Sequence, residues 1–192
     1  MVRPKQFNNE KALNEAMQMF WTKGYDGTSL PDLLQCMNVS RSSLYNSYQD
    51  KQTLFHQTLT YYQQTIGASK REALTGAHSA KDGIRQYFYR LIKIALSEEL
   101  PGGCFFTNVA TSLETADENT RQRVYESLKS LEELFYNVLL RGLQMGEIDP
   151  NKDIRKKASL LLGLSQGINV LSRVYKEKEL FENMINTALE EI

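Results

Sequence analysis

Apolar residues recur at three- and four-residue intervals along most of the chain, the spacing of one face of a helix. Leu13, Ala16, Met17 and Phe20 predict an amphipathic helix from Asn9 to Lys23, ended by Gly24 as a C-cap, with Trp21 and Tyr25 helping to close a small core. Leu30, Leu33, Leu34 and Met37 mark a short second helix, with Thr28 or Ser29 as its cap and Pro31 in its first turn. Ser40 caps a third, in which Leu44 and Tyr48 share a face. Asp50 caps a longer helix, carried by Leu54, Phe55, Thr58, Leu59, Tyr62 and Ile66 to about Leu74.

The small residues Thr75 to Ala80 then read as a loop. Further helices are expected at Lys81–Glu98, from Cys104 after the break at Pro101-Gly102-Gly103, from Asp117 to about Gly146, from Asn151 to about Tyr175, and at Glu177–Glu190. The pattern predicts an all-α chain of about nine helices. Its N-terminal three-helix domain covers residues 1–50, the helix at 50–74 is a connector, and a second helical domain covers 75–192.

The second and third predicted helices are separated by almost nothing. Asn38 stands where the turn needs a left-handed residue, which Asn tolerates. A short helix, a tight turn and a second helix with a polar face form the helix-turn-helix layout, whose second helix enters the DNA major groove. That second helix turns Arg41, Ser42, Ser43, Tyr45, Asn46 and Ser47 away from Leu44 and Tyr48, with Ser40 at its start. These are short hydroxyls, an amide, a phenol and a guanidinium, with no carboxylate. Small polar groups allow close approach to base edges, and Arg can pair with guanine O6 and N7. Taken by itself, a short capped helix with a solvated face has the same composition; the helix before it tips the balance. Lys51, in the first turn of the next helix, is poorly placed for the helix dipole but can reach a phosphate. Arg3 and Lys5 flank Pro4 as a short basic arm, either a solubilising tail or a phosphate or minor-groove contact.

The run Arg3-Pro4-Lys5, then Phe20-Trp21-Thr22-Lys23-Gly24-Tyr25-Asp26-Gly27-Thr28-Ser29, Val39-Ser40 to Leu44-Tyr45, and Asp50-Lys51-Gln52-Thr53-Leu54-Phe55 resembles the DNA-binding domain of the TetR/AcrR family of bacterial transcriptional regulators. Asn38 departs from that family's usual Gly, and Ser47 from the His or Tyr of many members. The resemblance implies double-stranded DNA as partner, contacted by Arg3, Lys5, Thr28, Ser40, Arg41, Ser42, Ser43, Tyr45, Asn46, Ser47 and Lys51. It also implies a symmetric homodimer on a palindromic operator, and an effector-binding C-terminal domain. Like the dimerising pair of the family, the last two helices offer Leu160, Gly163, Leu164, Gly167, Leu171, Phe181, Met184 and Ile185. Those same helices could instead pack only within one chain. Gly163 and Gly167 lie four apart, a spacing that lets another backbone come close.

Composition narrows the function. A chain of 192 residues with 41% hydrophobic content can bury a core, and zero formal net charge argues against a non-specific DNA coat protein while leaving a few local contacts open. Cys36 and Cys104 have no partners at metal-ligand spacing, which fits a reducing cytoplasm. Met1 to Lys5 lacks the apolar region of a signal peptide, and no apolar run reaches the length of a membrane helix.

The expected function is therefore a regulator, a repressor released from its operator by a small molecule of unknown identity, with no cofactor, metal or catalytic residue. Tyr62, Tyr87, Phe88, Cys104, Phe105 and Asn108 are candidates for the effector site, as aromatic or polar side chains on inward-facing helices; such a wall suits an apolar or planar ligand. One alternative makes Cys104 a sensor of oxidants or electrophiles, since a Cys near a helix N-terminus can react as a thiolate. A more remote one is a small all-helical enzyme or carrier, although His56 and His78 are far apart and no catalytic arrangement stands out.

Overall fold

The computed structural model describes residues 9–192, so the basic arm of Arg3 and Lys5 lies outside the described residues. The described chain is helical, without strands: α1 Asn9–Lys23, α2 Leu30–Met37, α3 Arg41–Tyr48, α4 Lys51–Tyr62, α5 Ala68–Thr75, α6 Ala80–Ala95, α7 Phe105–Ala110, α8 Glu118–Gln144, α9 Ile154–Leu171 and α10 Lys178–Glu190. A single π-helical turn, Gln63–Gly67, joins α4 to α5, so the long connecting helix is continuous and the described residues form nine rods. The chain forms two compact units, divided between Thr65 and Ile66.

In the first unit α1 packs on α2 and α4, and α3 on α4. The apolar stripes converge on Phe20, Trp21, Leu33, Leu44, Tyr48, Leu54 and Leu59, all buried. Aromatic edges interlock here: Phe20 meets Phe55 at 5.1 Å, and Trp21 meets Tyr62 at 5.1 Å. The Tyr48 hydroxyl donates to Asn9 Oδ1, tying the end of α3 to the start of α1.

The second unit centres on α6, whose Ile84, Tyr87, Phe88, Leu91 and Ile92 are buried with Phe135, Val138 and Leu139 of α8, Leu161 and Ile168 of α9, and Phe181, Ile185 and Leu189 of α10. Two of these drop out of the expected dimer surface. Phe181 and Ile185 are fully buried inside the protomer's own core, because α10 turns its apolar stripe toward α6 and α9.

Helix ends follow local capping. Asp153 accepts from the Lys156 backbone N–H, so α9 starts at Ile154 rather than Asn151. It closes at Leu171 rather than Tyr175, with the Ser172 hydroxyl donating back to Asn169. The helix expected to reach Glu98 ends at Ala95. At Gly142 a close approach replaces side-chain packing: a Cβ there would lie 2.6 Å from Ala80 Cβ and 3.0 Å from Ile148 Cδ1.

Candidate nucleic-acid interface

The helix-turn-helix is held by three caps. Ser29 caps α2 by accepting from the Asp32 backbone N–H, while Asp32 Oδ2 accepts from the Ser29 backbone N–H at 2.9 Å, a reciprocal capping box. The Ser29 hydroxyl and backbone, then the Lys23 ammonium 3.2 Å away, hold the Asp32 carboxyl down at about 2. Asn38 ends α2 in the left-handed conformation, φ 53° and ψ 49°. Ser40 caps α3, its oxygen accepting from the Ser43 backbone N–H at 3.1 Å with the hydroxyls of Ser42 and Ser43 each 2.9 Å away.

The α3 face opposite Leu44 and Tyr48 is open to solvent. Arg41, Ser42, Tyr45, Asn46 and Ser47 are exposed and Ser43 is half-buried. Arg41 lies 5.7 Å from the Tyr45 ring centroid, within cation–π range, so the two largest groups of this face are neighbours. No carboxylate interrupts the face, as the residue types require for approach to a polyanion.

Past α3 the chain turns through Gln49 at φ 67° and ψ −57°, and the Asp50 N–H donates to the Tyr48 carbonyl at 2.8 Å. This is a γ-turn of the rare, strained hand. Asp50 then caps α4, accepting from the Thr53 N–H at 2.7 Å, which leaves Lys51 at the first helical position. Its ammonium rests 4.2 Å from the Tyr25 ring centroid.

Thr28 departs from expectation. Its side chain is 0% exposed and its hydroxyl donates to the Gly24 carbonyl at 2.6 Å. It seals the turn after α1, where Gly24 has φ 74°, and its side chain is not presented to a ligand.

The effector candidates fall in different places. Tyr62 belongs to the core of the first unit, edge-on to Trp21. Tyr87, Phe88, Cys104 and Phe105 are buried in the second, and Asn108 is half-buried. Tyr87 and Phe88 form an aromatic cluster with Phe135, at 5.0 Å and 6.0 Å. Burial pushes the Tyr87 phenol well up, with the nearby Cys104 adding to it.

Around them runs a polar chain that the sequence reading did not single out. Asn169 Nδ2 donates to the Thr107 hydroxyl, which donates to Gln166 Oε1, and Gln166 Nε2 donates to the Ser165 hydroxyl at 3.0 Å. The signal was present as Ser165, Gln166 and Asn169 inside the otherwise apolar stretch 160–171 of α9. Among the described residues no group of three or more His, Cys, Asp or Glu could hold a metal ion, and no helix is long and apolar enough to cross a membrane.

Comparison with known proteins agrees with this geometry. Residues 12–58 match the model of the bacterial regulatory proteins, tetR family, and residues 80–188 match that of the tetracyclin repressor-like C-terminal domain. The chain is 28% identical to the uncharacterized HTH-type transcriptional regulator YezE of Bacillus subtilis (strain 168) over 98% of both chains. It is 29% identical to the HTH-type transcriptional repressor ComR of Escherichia coli (strain K12), over 97% of this chain and 90% of ComR. It superposes with a TM-score of 0.88, at 28% identity and 98% coverage of each chain, on a cysteine mutant of the TetR family regulator CifR complexed with 26-bp double-strand operator DNA. With both its halves matched in order and its exposed polar helix in the expected place, the chain belongs to the TetR family and is a DNA-binding transcriptional regulator.

Proposed function

We propose that this regulator is a cytoplasmic, non-enzymatic repressor that sits as a symmetric dimer on a palindromic operator and leaves it when a small molecule binds the C-terminal unit. The observation that carries it is the α3 face: a row of polar side chains, Arg41, Ser42, Tyr45, Asn46 and Ser47 exposed, on a helix capped by Ser40 and held by two buried anchors, Leu44 and Tyr48. ComR is a repressor by name and CifR was solved on operator DNA, which supports the same role here. Arg41, Ser42, Tyr45, Asn46 and Ser47 read bases or adjacent phosphates; Ser40 and Ser43 set the start of the helix; Lys51 contacts the backbone. Two half-sites about one helical turn apart (~34–36 Å), or a multiple of it, would match the two α3 helices.

The dimer face is the outer side of α9. Leu160 is 51% exposed and Val170 45%, Gly163 is exposed, Leu164, Gly167 and Leu171 are half-buried, and Val174 just beyond is 77% exposed. Among the described residues, nothing beyond the helix's own backbone comes within 4 Å of a Cβ built at Gly163 or Gly167. Open glycines amid exposed aliphatics suit the approach of a second helix; Met184 of α10 is half-buried, packed against the protomer's own core.

A gel-shift titration of wild type against Arg41→Ala and Tyr45→Phe tests the assignment. Both variants should fold normally and bind the operator more weakly. Equal affinity for all three would remove α3 from the interface.

A second reading keeps the DNA-binding unit and makes Cys104 the sensor. Its supporting observation is position: Cys104 is the cap residue of α7, 7% exposed, three residues before the Thr107 that bonds to α9. Oxidation or alkylation there would strain the α7–α9 contact. Cys104→Ser should then abolish the response to peroxide or an electrophile; a retained response rules the idea out.

A further inference from the structure

Lys51 is a cation at the wrong end of a helix, where the backbone dipole disfavours it. Such a residue normally finds a carboxylate. Here the adjacent Asp50 is committed to the Thr53 N–H, and among the described residues Lys51 has no ion-pair partner. What it has is a ring, that of Tyr25, 4.2 Å from the ammonium. Tyr25 is itself fixed: half-buried after α1, it stacks on Phe20 at 6.1 Å with 16° between planes, and leans on Phe55 of α4 at 5.0 Å.

The two kinds of partner differ in what they leave behind. A carboxylate would localise the ammonium but neutralise it. A ring face localises it and leaves its full charge and its remaining N–H groups for an anion. A long lysine side chain gives up considerable rotamer freedom on being held, so a site that holds it beforehand lowers that cost at binding.

We infer that Tyr25 is a positioning residue of the DNA interface, its ring holding the Lys51 ammonium ready for a phosphate of the operator backbone. This rests on the DNA-binding assignment of Lys51 above. Tyr25 need not touch DNA, and its hydroxyl plays no part.

The test uses the full chain and a labelled duplex recovered by the wild-type protein from a randomised library, titrated at several salt concentrations. Lys51→Gln should lower affinity tenfold or more at low salt. It should also flatten the slope of log affinity against log salt by about 2, from the loss of one phosphate contact per protomer at roughly 0.9 each. Tyr25→Leu should weaken binding several-fold in the Lys51 background and have almost no effect in the Lys51→Gln background. Tyr25→Phe should bind within about twofold of wild type.

Equal losses from Tyr25→Leu in both backgrounds, or a Tyr25→Phe as weak as Tyr25→Leu, would overturn the positioning role alone. An unchanged salt slope in Lys51→Gln removes the phosphate contact, and failure of the wild type to recover any duplex removes the DNA-binding reading with it. Independently of any variant's folding, the Lys51 ε-methylene protons of the unbound wild-type chain should be shifted upfield by the Tyr25 ring current. An ordinary lysine shift there contradicts the proposal.

Discussion

The Thr107 hydroxyl donates to Gln166 Oε1 across 2.7 Å, joining the short helix α7 to the middle of α9. Asn169, one turn further on, donates to the same hydroxyl at 3.2 Å, and both Thr107 and Asn169 are buried. One hydroxyl thus serves as donor and acceptor to two amides on the helix that also carries the proposed dimer face. Replacing it by a methyl keeps the shape and strands both amides. Thr107→Val should therefore cost about 1–3 kcal/mol, the penalty of leaving buried polar groups unpaired. Chemical denaturation of the two proteins measures it; a difference under about 0.5 kcal/mol would show that the amides repair themselves.

Gly142 and Gly163 should respond oppositely to substitution. A Cβ at Gly142 would lie 2.6 Å from Ala80 Cβ, closer than such atoms come, and tight against the end of Ile148, so Gly142→Ala should destabilise the protomer by about 1–3 kcal/mol through overpacking. A Cβ at Gly163 meets nothing beyond its own helix among the described residues. Gly163→Leu should leave the circular dichroism spectrum of the folded chain intact while shifting the dimer toward monomer in sedimentation velocity. A Gly163→Leu dimer as tight as wild type would move the interface elsewhere.

Acid should expose the α2 capping box. The Asp32 carboxyl is held from its ordinary 3.8 down to about 2, chiefly by the Ser29 side chain and backbone, then by Lys23. A depressed folded value means that its contribution is complete above the unfolded value near 4 and is lost as pH falls through about 2. The thermal stability gap between wild type and Asp32→Asn should thus be constant above pH 5 and shrink between pH 4 and 2. A gap unchanged down to pH 2 would mean that the charge contributes nothing.

Gln49 holds the strained γ-turn between the proposed reading helix and α4. Glycine adopts positive φ without the Cβ clash, so Gln49→Gly should relieve strain of the order of 1–3 kcal/mol, offset in part by glycine's greater freedom when unfolded. A raised melting temperature is expected, and a lowered one would place the value of Gln49 in its side chain rather than its backbone.

Much of this molecule was legible from its residues in order. Helix periodicity, Ser29, Ser40 and Asp50 as caps, Asn38 as a left-handed turn and Gly24 as a helix end are local matters, decided within four or five residues by backbone hydrogen bonding and sterics. The same locality made the α3 face readable, since a helix presents its polar positions on one side whatever it packs against. Only the tertiary structure could decide which apolar positions face a neighbour in the same chain. Phe181 and Ile185 went inward while Leu160 stayed out, although all three are large aliphatic or aromatic residues at helical spacing. It also set Lys51 over Tyr25 across 26 residues of sequence, and imposed on Gln49 a conformation that its type does not favour. Each of those outcomes depends on how far apart two helices stand and at what angle. Those are set by the sum of many packed side chains, which no short stretch of sequence contains.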